Sequence, residues 1–214
     1  MHAGWICAGK LCDYGIKDRE KVMMNIGCVI LAGGKSTRMG RDKANLEFQG
    51  QTFIKKLAQE LDFFEEKMIA RGPNEGFEGM DWTIIPDLHE ECGPIGGLHS
   101  ALKNCKSEAL FCLPCDIPLM ETSLFHWLVP FLEEKYDAVV CMTPDGKRHP
   151  LSGIYWKSSA AVLEEQISNG DNRMMSALDK LKVKYVVVDS KSKEDQLFNV
   201  NTPQDYRRLK EYCE

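Results

Sequence analysis

The chain reads as one α/β domain, a doubly wound and mostly parallel sheet with helices on both faces. Three features predict it. Short apolar runs of strand length recur from Cys28 onward, and most of them stop at a glycine, proline, aspartate or asparagine. Between these runs lie segments whose apolar residues repeat at helical spacing, and β–α alternation with short connections produces parallel strands joined by crossovers. The 214 residues, 43% hydrophobic and 28% charged, suffice for one well-buried core, and no repeat, linker or composition break divides them.

Residues 1–24 show neither periodicity. They are expected to form a poorly ordered extension ahead of a domain spanning 25–214, with Met23 and Met24 marking an alternative start just before the first strand. Cys28-Val29-Ile30-Leu31 is a buried strand that breaks into Ala32-Gly33-Gly34. Thr52 caps a helix in which Phe53, Ile54, Leu57, Ala58 and Leu61 share one face. Lys67 to Ala70 and Trp82 to Ile85 read as strands, the second ending in Pro86-Asp87. Gly93-Pro94-Ile95-Gly96-Gly97 reads as a second glycine loop, leading into a short helix with Leu98, Ala101 and Leu102 on one side. The strand from Ala109 to Leu113 ends at Pro114-Cys115-Asp116.

The second half alternates likewise. A helix carries Leu124, Leu128, Phe131 and Leu132, a strand runs from Ala138 to Met142, and Pro144-Asp145-Gly146 turns the chain. Leu151 to Trp156 and Val183 to Val188 are further strands, with helices at Ala160 to Gln166 and Met174 to Leu181 between them. Thr202-Pro203-Gln204-Asp205 is a helix start, with a cap, a proline in the first turn and a carboxylate three residues on.

The loop after the first strand carries the most chemistry. Two glycines allow close backbone approach and N–H groups aimed at an anion. Lys35, Arg38, Arg41 and Lys43 follow within nine residues beside the carboxylate of Asp42, a combination suited to a polyphosphate. A basic surface turn is the plain alternative. A P-loop is excluded because its spacing needs glycine where Val29 stands. The dinucleotide fingerprint fails as well, since Gly33 and Gly34 are adjacent and the next glycine is Gly40.

The string from Leu31 to Lys43 resembles the signature loop of nucleotidyltransferases, LAGG-x-x-x-RMG-x-DK, with every fixed letter present. Within that superfamily it is most similar to the molybdenum cofactor guanylyltransferases. The resemblance implies a Rossmann-like nucleotidyltransferase fold and transfer of GMP from GTP to the phosphate of a molybdopterin-type cofactor, with Mg²⁺ as cofactor. It implies Arg38, Lys43 and Asp116 as catalytic residues, with Asp116 of Pro114-Cys115-Asp116 holding the metal. Leu31, Ala32, Gly33, Gly34, Lys43, Asp87 and Asp116 are implied in nucleotide binding. His149, Arg173, Asn199 and Asn201 are implied in acceptor binding, the last two within Asn199-Val200-Asn201-Thr202-Pro203. Molybdoenzymes or other proteins of the cofactor pathway are implied as recipients of the product. The chain departs from the pattern where relatives carry an asparagine near the end of the second strand and this sequence has Ala70-Arg71-Gly72.

Physical reasons stand beside those roles. Ligands of open α/β sheets bind beyond the carboxyl ends of the strands, where the first glycine loop, Asp87, Asp116, Asn199 and Asn201 all fall. Mg²⁺ takes one or two protein carboxylates and completes its shell with phosphate and water, which suits Asp116. Each Asp or Asn is also an ordinary turn former, His149 also reads as a loop histidine, and Asn199 and Asn201 also read as partners for corner backbone. Competing functions are a cytidylyltransferase for the same cofactor, a sugar-phosphate nucleotidyltransferase, and a non-catalytic carrier of the pterin. Gly33 and the closing NVNTP favour guanine and pterin. The three residues Arg38, Lys43 and Asp116 exceed what a carrier needs.

A net charge of −5 and a pI near 5.6 argue against nucleic-acid or membrane-surface binding. No apolar run approaches the roughly 20 residues of a membrane span, and a cytoplasmic protein is expected. Nine scattered cysteines do not make a disulfide framework. Cys112-Leu113-Pro114-Cys115 has CxxC spacing, but it ends a strand rather than opening a helix, and no second Cys/His pair stands at zinc spacing. Cys115 is expected to be framework.

Overall fold

A computed structural model of the chain describes residues 26–33, 46–70, 81–89 and 91–212. The expected N-terminal extension therefore lies outside the described residues, as do Gly34, Arg38 and Lys43 of the signature loop. Strand β1 (Ile26–Leu31) is buried from end to end, as an uninterrupted apolar run requires. A hairpin of β2 (Glu47–Phe48) and β3 (Gln51–Thr52) turns through Gln49 and Gly50, both at positive φ. It opens α1 (Phe53–Glu60), whose Lys55 N–H donates to Thr52 Oγ1. There follow β4 (Lys67–Ala70), β5 (Thr83–Ile85), α2 (Pro94–Asn104), β6 (Ala109–Pro114), α3 (Thr122–Leu128), β7 (Ala138–Met142) and β8 (Arg148–Trp156). The chain closes with α4 (Ala160–Ser168), α5 (Met174–Lys180), β9 (Val183–Val187), α6 (Lys191–Asp195) and α7 (Pro203–Glu211).

Seven strands form one sheet in the order β5-β4-β1-β6-β8-β7-β9. All neighbours pair in parallel except β8, which runs antiparallel to both β6 and β7. The expected mostly parallel, doubly wound sheet is what the chain builds. Side chains alternate across it. Cys28, Ile30, Phe111, Leu113 and Val139 join Ile54, Leu57, Leu124 and Phe125 of α1 and α3 in one core layer. Val29, Leu31, Leu110, Cys112 and Val140 join Leu98, Ala101, Leu163 and Leu178 of α2, α4 and α5 in the other. A satellite cluster of Leu46, Phe48, Phe53, Val200 and Leu209 fastens the hairpin and α7 to one end.

Four expectations need adjustment. Gly96 and Gly97 are helical, because α2 begins at Pro94, where proline's fixed φ and missing N–H suit a first turn. Pro130 breaks the expected long helix after Leu128, so Phe131 sits in a separate 3₁₀ turn and Leu132 lies beyond it. Strand β8 begins three residues early, at Arg148, and carries a bulge where Val140 pairs with Gly153 but Cys141 pairs with His149. The β2–β3 hairpin and α6 had no predicted counterpart. Gln49-Gly50 is a weak turn signal, and α6 is a single short turn or so capped by Ser190.

Candidate active site

The carboxyl ends of β1, β4, β5 and β6 lie side by side, and backbone bonds hold them there. Ala32 N–H donates to Ala70 O at 3.0 Å and Cys115 N–H donates to Leu31 O at 3.1 Å, so the chain leaving β1 is pinned on both sides. Gly33 follows, exposed. The described part of the signature loop thus emerges from the middle of a rigid sheet edge.

Asp116 stands one strand away, two residues beyond β6. Its carbonyl accepts from Val200 N–H at 2.8 Å, and its Oδ1 accepts from the Asn199 side-chain amide at 2.8 Å. The segment before α7 is therefore docked against the end of β6. Gln196, buried, accepts the N–H of Glu121 and fixes the approach to that segment. On the far side, Asn201 N–H donates to Asp205 at 3.1 Å, and Thr202 and Asp205 complete a capping box at the start of α7. Of the expected acceptor-side asparagines, Asn199 has its side chain on the Asp116 carboxylate, whereas Asn201 donates its backbone N–H at the α7 cap.

Asp87 lies past the end of β5, half-buried. Its Oδ1 is buried without a hydrogen-bond partner among the described residues, and burial raises its pKa above the ordinary aspartate value. A Cβ on Gly97 would sit 3.6 Å from that oxygen and 3.4 Å from both Ala70 Cβ and Leu31 Cδ2. These are ordinary van der Waals distances, and they place the first turn of α2 directly against the strand ends and Asp87. Ser100, which sequence reasoning missed, fixes the same corner. Its Oγ accepts from Leu88 N–H and donates to Gly96 O, each at 2.8 Å. A serine in a helix facing back to the preceding turn was the available signal, but such back-bonding is common and uninformative by itself.

Because β8 runs antiparallel, its first residues lie at the same edge of the sheet as the ends of the parallel strands. His149 is 7% exposed, and its Nε2 has no hydrogen-bond partner among the described residues. Burial, assisted by nearby Lys147, lowers its pKa to about 4, so the ring is neutral at physiological pH. A buried orphan nitrogen and a buried orphan carboxylate oxygen at one sheet edge are groups that a polar ligand would satisfy. Arg173 differs. It is exposed, and Asp171 holds its guanidinium through two bonds of 2.8 and 2.9 Å. Recruiting Arg173 to an acceptor requires breaking or sharing that pair.

The donor chemistry fits a hard divalent cation at Asp116. A carboxylate oriented by an amide donor at a sheet edge supplies the single protein ligand that Mg²⁺ or Mn²⁺ needs when phosphate and water complete the shell. The CxxC cysteines do not fit a metal or a redox pair. Cys112 and Cys115 belong to opposite core layers, and burial pushes the Cys112 thiol far above its usual range. No helix among the described residues is long and apolar enough to cross a membrane.

A family model described as "MobA-like NTP transferase domain" matches residues 28–185. A molybdenum cofactor guanylyltransferase of Campylobacter jejuni is 30% identical over 186 residues, covering 86% of this chain and 95% of that protein. Among solved structures, the molybdopterin-guanine dinucleotide biosynthesis protein A of Archaeoglobus fulgidus superposes with a TM-score of 0.77 at 24% identity, covering 87% of this chain and 98% of that one. A Mycobacterium tuberculosis protein solved in complex with manganese superposes with a TM-score of 0.60 at 18% identity, covering 87% and 98% of the two chains, which shows a shared fold.

Proposed function

Because the chain belongs to the MobA-like NTP transferase family, we propose that it is the nucleotidyltransferase that moves GMP from GTP to the phosphate of the molybdenum–molybdopterin cofactor, forming the guanine dinucleotide cofactor and pyrophosphate. The observation that carries the site assignment is the Asn199–Asp116 bond at the edge where the signature loop leaves β1. It joins the family's closing motif to the carboxylate expected to hold the metal.

An oxygen of the acceptor phosphate attacks the α-phosphorus of GTP. The bond from that phosphorus to the bridging β-phosphate oxygen breaks, and pyrophosphate leaves. The nucleophile is already an anion, so little proton removal is needed and catalysis reduces to alignment and charge neutralisation. Asp116, its carboxylate oriented by the Asn199 amide, would hold the divalent ion, magnesium in this reading, which would offset triphosphate charge. Lys43 and Arg38 supply further positive charge from the signature loop. Gly33, with Leu31 and Ala32 pinned between β4 and β6, presents backbone to the nucleotide. Asp87 accepts a hydrogen bond from it, consistent with an oxygen that has no donor among the described residues. His149 offers the acceptor a neutral ring, not a cation.

Incubating the full chain with each NTP in turn, the pterin cofactor and magnesium, while measuring pyrophosphate, tests the reading. Release with GTP is expected. Faster release with CTP would make it a cytidylyltransferase, and none with any nucleotide would leave a carrier.

A further inference from the structure

Around α2, three side chains from separate segments converge. His99 belongs to α2, Glu164 to α4, and His89 to the turn after Asp87. His89 Nε2 lies 3.2 Å from Glu164 Oε1, and His99 Nε2 lies 2.5 Å from Glu164 Oε2. One ligand-type atom from each of the three falls within 4.8 Å of the others. His99 is 1% exposed, yet among the described residues neither of its ring nitrogens has a hydrogen-bond partner in good geometry. The carboxylate oxygen is near enough for one but lies outside acceptable N–H···O geometry.

We propose that His89, His99 and Glu164 form a binding site for a first-row divalent ion of the zinc class, held by two imidazole nitrogens and one carboxylate, with water in the remaining position. The assignment does not depend on the transfer reaction. Two histidines and a glutamate are a recognised zinc donor set. Tetrahedral bonds of zinc length put neighbouring ligand atoms roughly 3.3 Å apart, close to the 3.2 Å between His89 and Glu164. The His99–Glu164 separation needs to open by under roughly 1 Å to reach that spacing.

A simple ion pair is the competing account. It would engage Nε2 of His99, which Glu164 Oε2 approaches to 2.5 Å in poor hydrogen-bond geometry, and it leaves Nδ1 without a partner among the described residues. Imidazole ligands also disfavour Mg²⁺, which seeks oxygen, so this site and the triphosphate site select different ions. An ion here would clamp the turn after Asp87 to α2 and α4.

The test uses the full chain without an affinity tag, stripped with chelator and titrated with Zn²⁺ by calorimetry and with Co²⁺ by absorption. One equivalent of Zn²⁺ should bind, thermal unfolding should shift upward with Zn²⁺ but not with equal Mg²⁺, and bound Co²⁺ should show tetrahedral bands without thiolate charge transfer. Glu164→Gln and His89→Gln, both at partly exposed positions, should weaken Zn²⁺ by at least about tenfold. Cys92→Ser should bind as the parent does. Absence of stoichiometric Zn²⁺ binding, unchanged affinity in both Gln variants, or a thiolate charge-transfer band would overturn the site.

Discussion

The side-chain amide of Asn199 donates to Oδ1 of Asp116 across 2.8 Å, joining residues 83 positions apart. The bond sets the rotation of a carboxylate at the end of β6 from a segment that enters α7. Removing the donor should loosen the proposed metal ligand without deleting it. Asn199→Leu is expected to raise the magnesium concentration for half-maximal transfer by roughly tenfold, the value of one hydrogen bond to a charged group, while activity at saturating magnesium stays near that of the parent. A fall in rate that magnesium does not restore would assign Asn199 a different role.

Asp87 holds a buried oxygen with no partner among the described residues, so its charge costs stability in the free protein. Its folded pKa is raised, hence the folded state keeps its proton to higher pH than the unfolded chain does. Stability contributed by that proton is lost as pH rises through the folded value. Asp87→Asn should therefore raise Tm at pH 7 and reduce the loss of stability as pH rises through that value, while weakening GTP binding by about tenfold. Thermal unfolding across pH together with KM for GTP checks both halves.

His149 works in the opposite sense. Burial lowers its pKa to about 4, so between the ordinary histidine value of 6.5 and that value the unfolded chain takes up a proton the folded one refuses. Stability should fall with pH across this window, by at most about 3 kcal/mol from this group. His149→Gln should remove that part of the slope, and the pH profile of transfer above pH 6.5 should not shift in the variant. Chemical unfolding at several pH values measures the first, and steady-state rates the second.

Much of this architecture was legible because the apolar runs were short and ended in glycine or a short polar residue. Cys28 to Leu31 and Ala109 to Leu113 could hardly be anything other than buried strands. The site's corners at Asp87 and Asp116 followed from the rule that ligands bind beyond strand ends, and the family resemblance assigned their roles. What stayed hidden depended on tertiary pairing. Nothing local to Arg148-His149-Pro150 marks them as strand, since only the neighbouring β7 and a bulge make them so. The bond from Asn199 to Asp116, the contact of Ser100 with Leu88, and the meeting of His89 with Glu164 each join residues from different elements. Arg173 shows the converse. Its motif position suggested a ligand contact, and the fold gives its guanidinium to Asp171.

Gly153 illustrates how closely β8 is held. A Cβ there would lie 2.5 Å from Val139 O and 3.1 Å from Val140 Cα, both backbone atoms of β7 that cannot swing aside. Gly153→Ala is expected to cost about 3 kcal/mol or more, measured by urea unfolding. A cost below about 1 kcal/mol would mean that β7 and β8 can separate without penalty.

The central claim is that Asp116 holds the divalent ion of the triphosphate, and one magnesium titration of Asp116→Asn tests it. The variant keeps the shape of the side chain and replaces the charged ligand by a neutral amide. Transfer from GTP should drop by roughly a hundredfold at low magnesium and recover in part as magnesium is raised. Lys43→Ala, which removes charge without touching the metal ligand, should show no such recovery. If Asp116→Asn turns over at the parental rate with the parental magnesium dependence, Asp116 is a turn residue and the metal lies elsewhere.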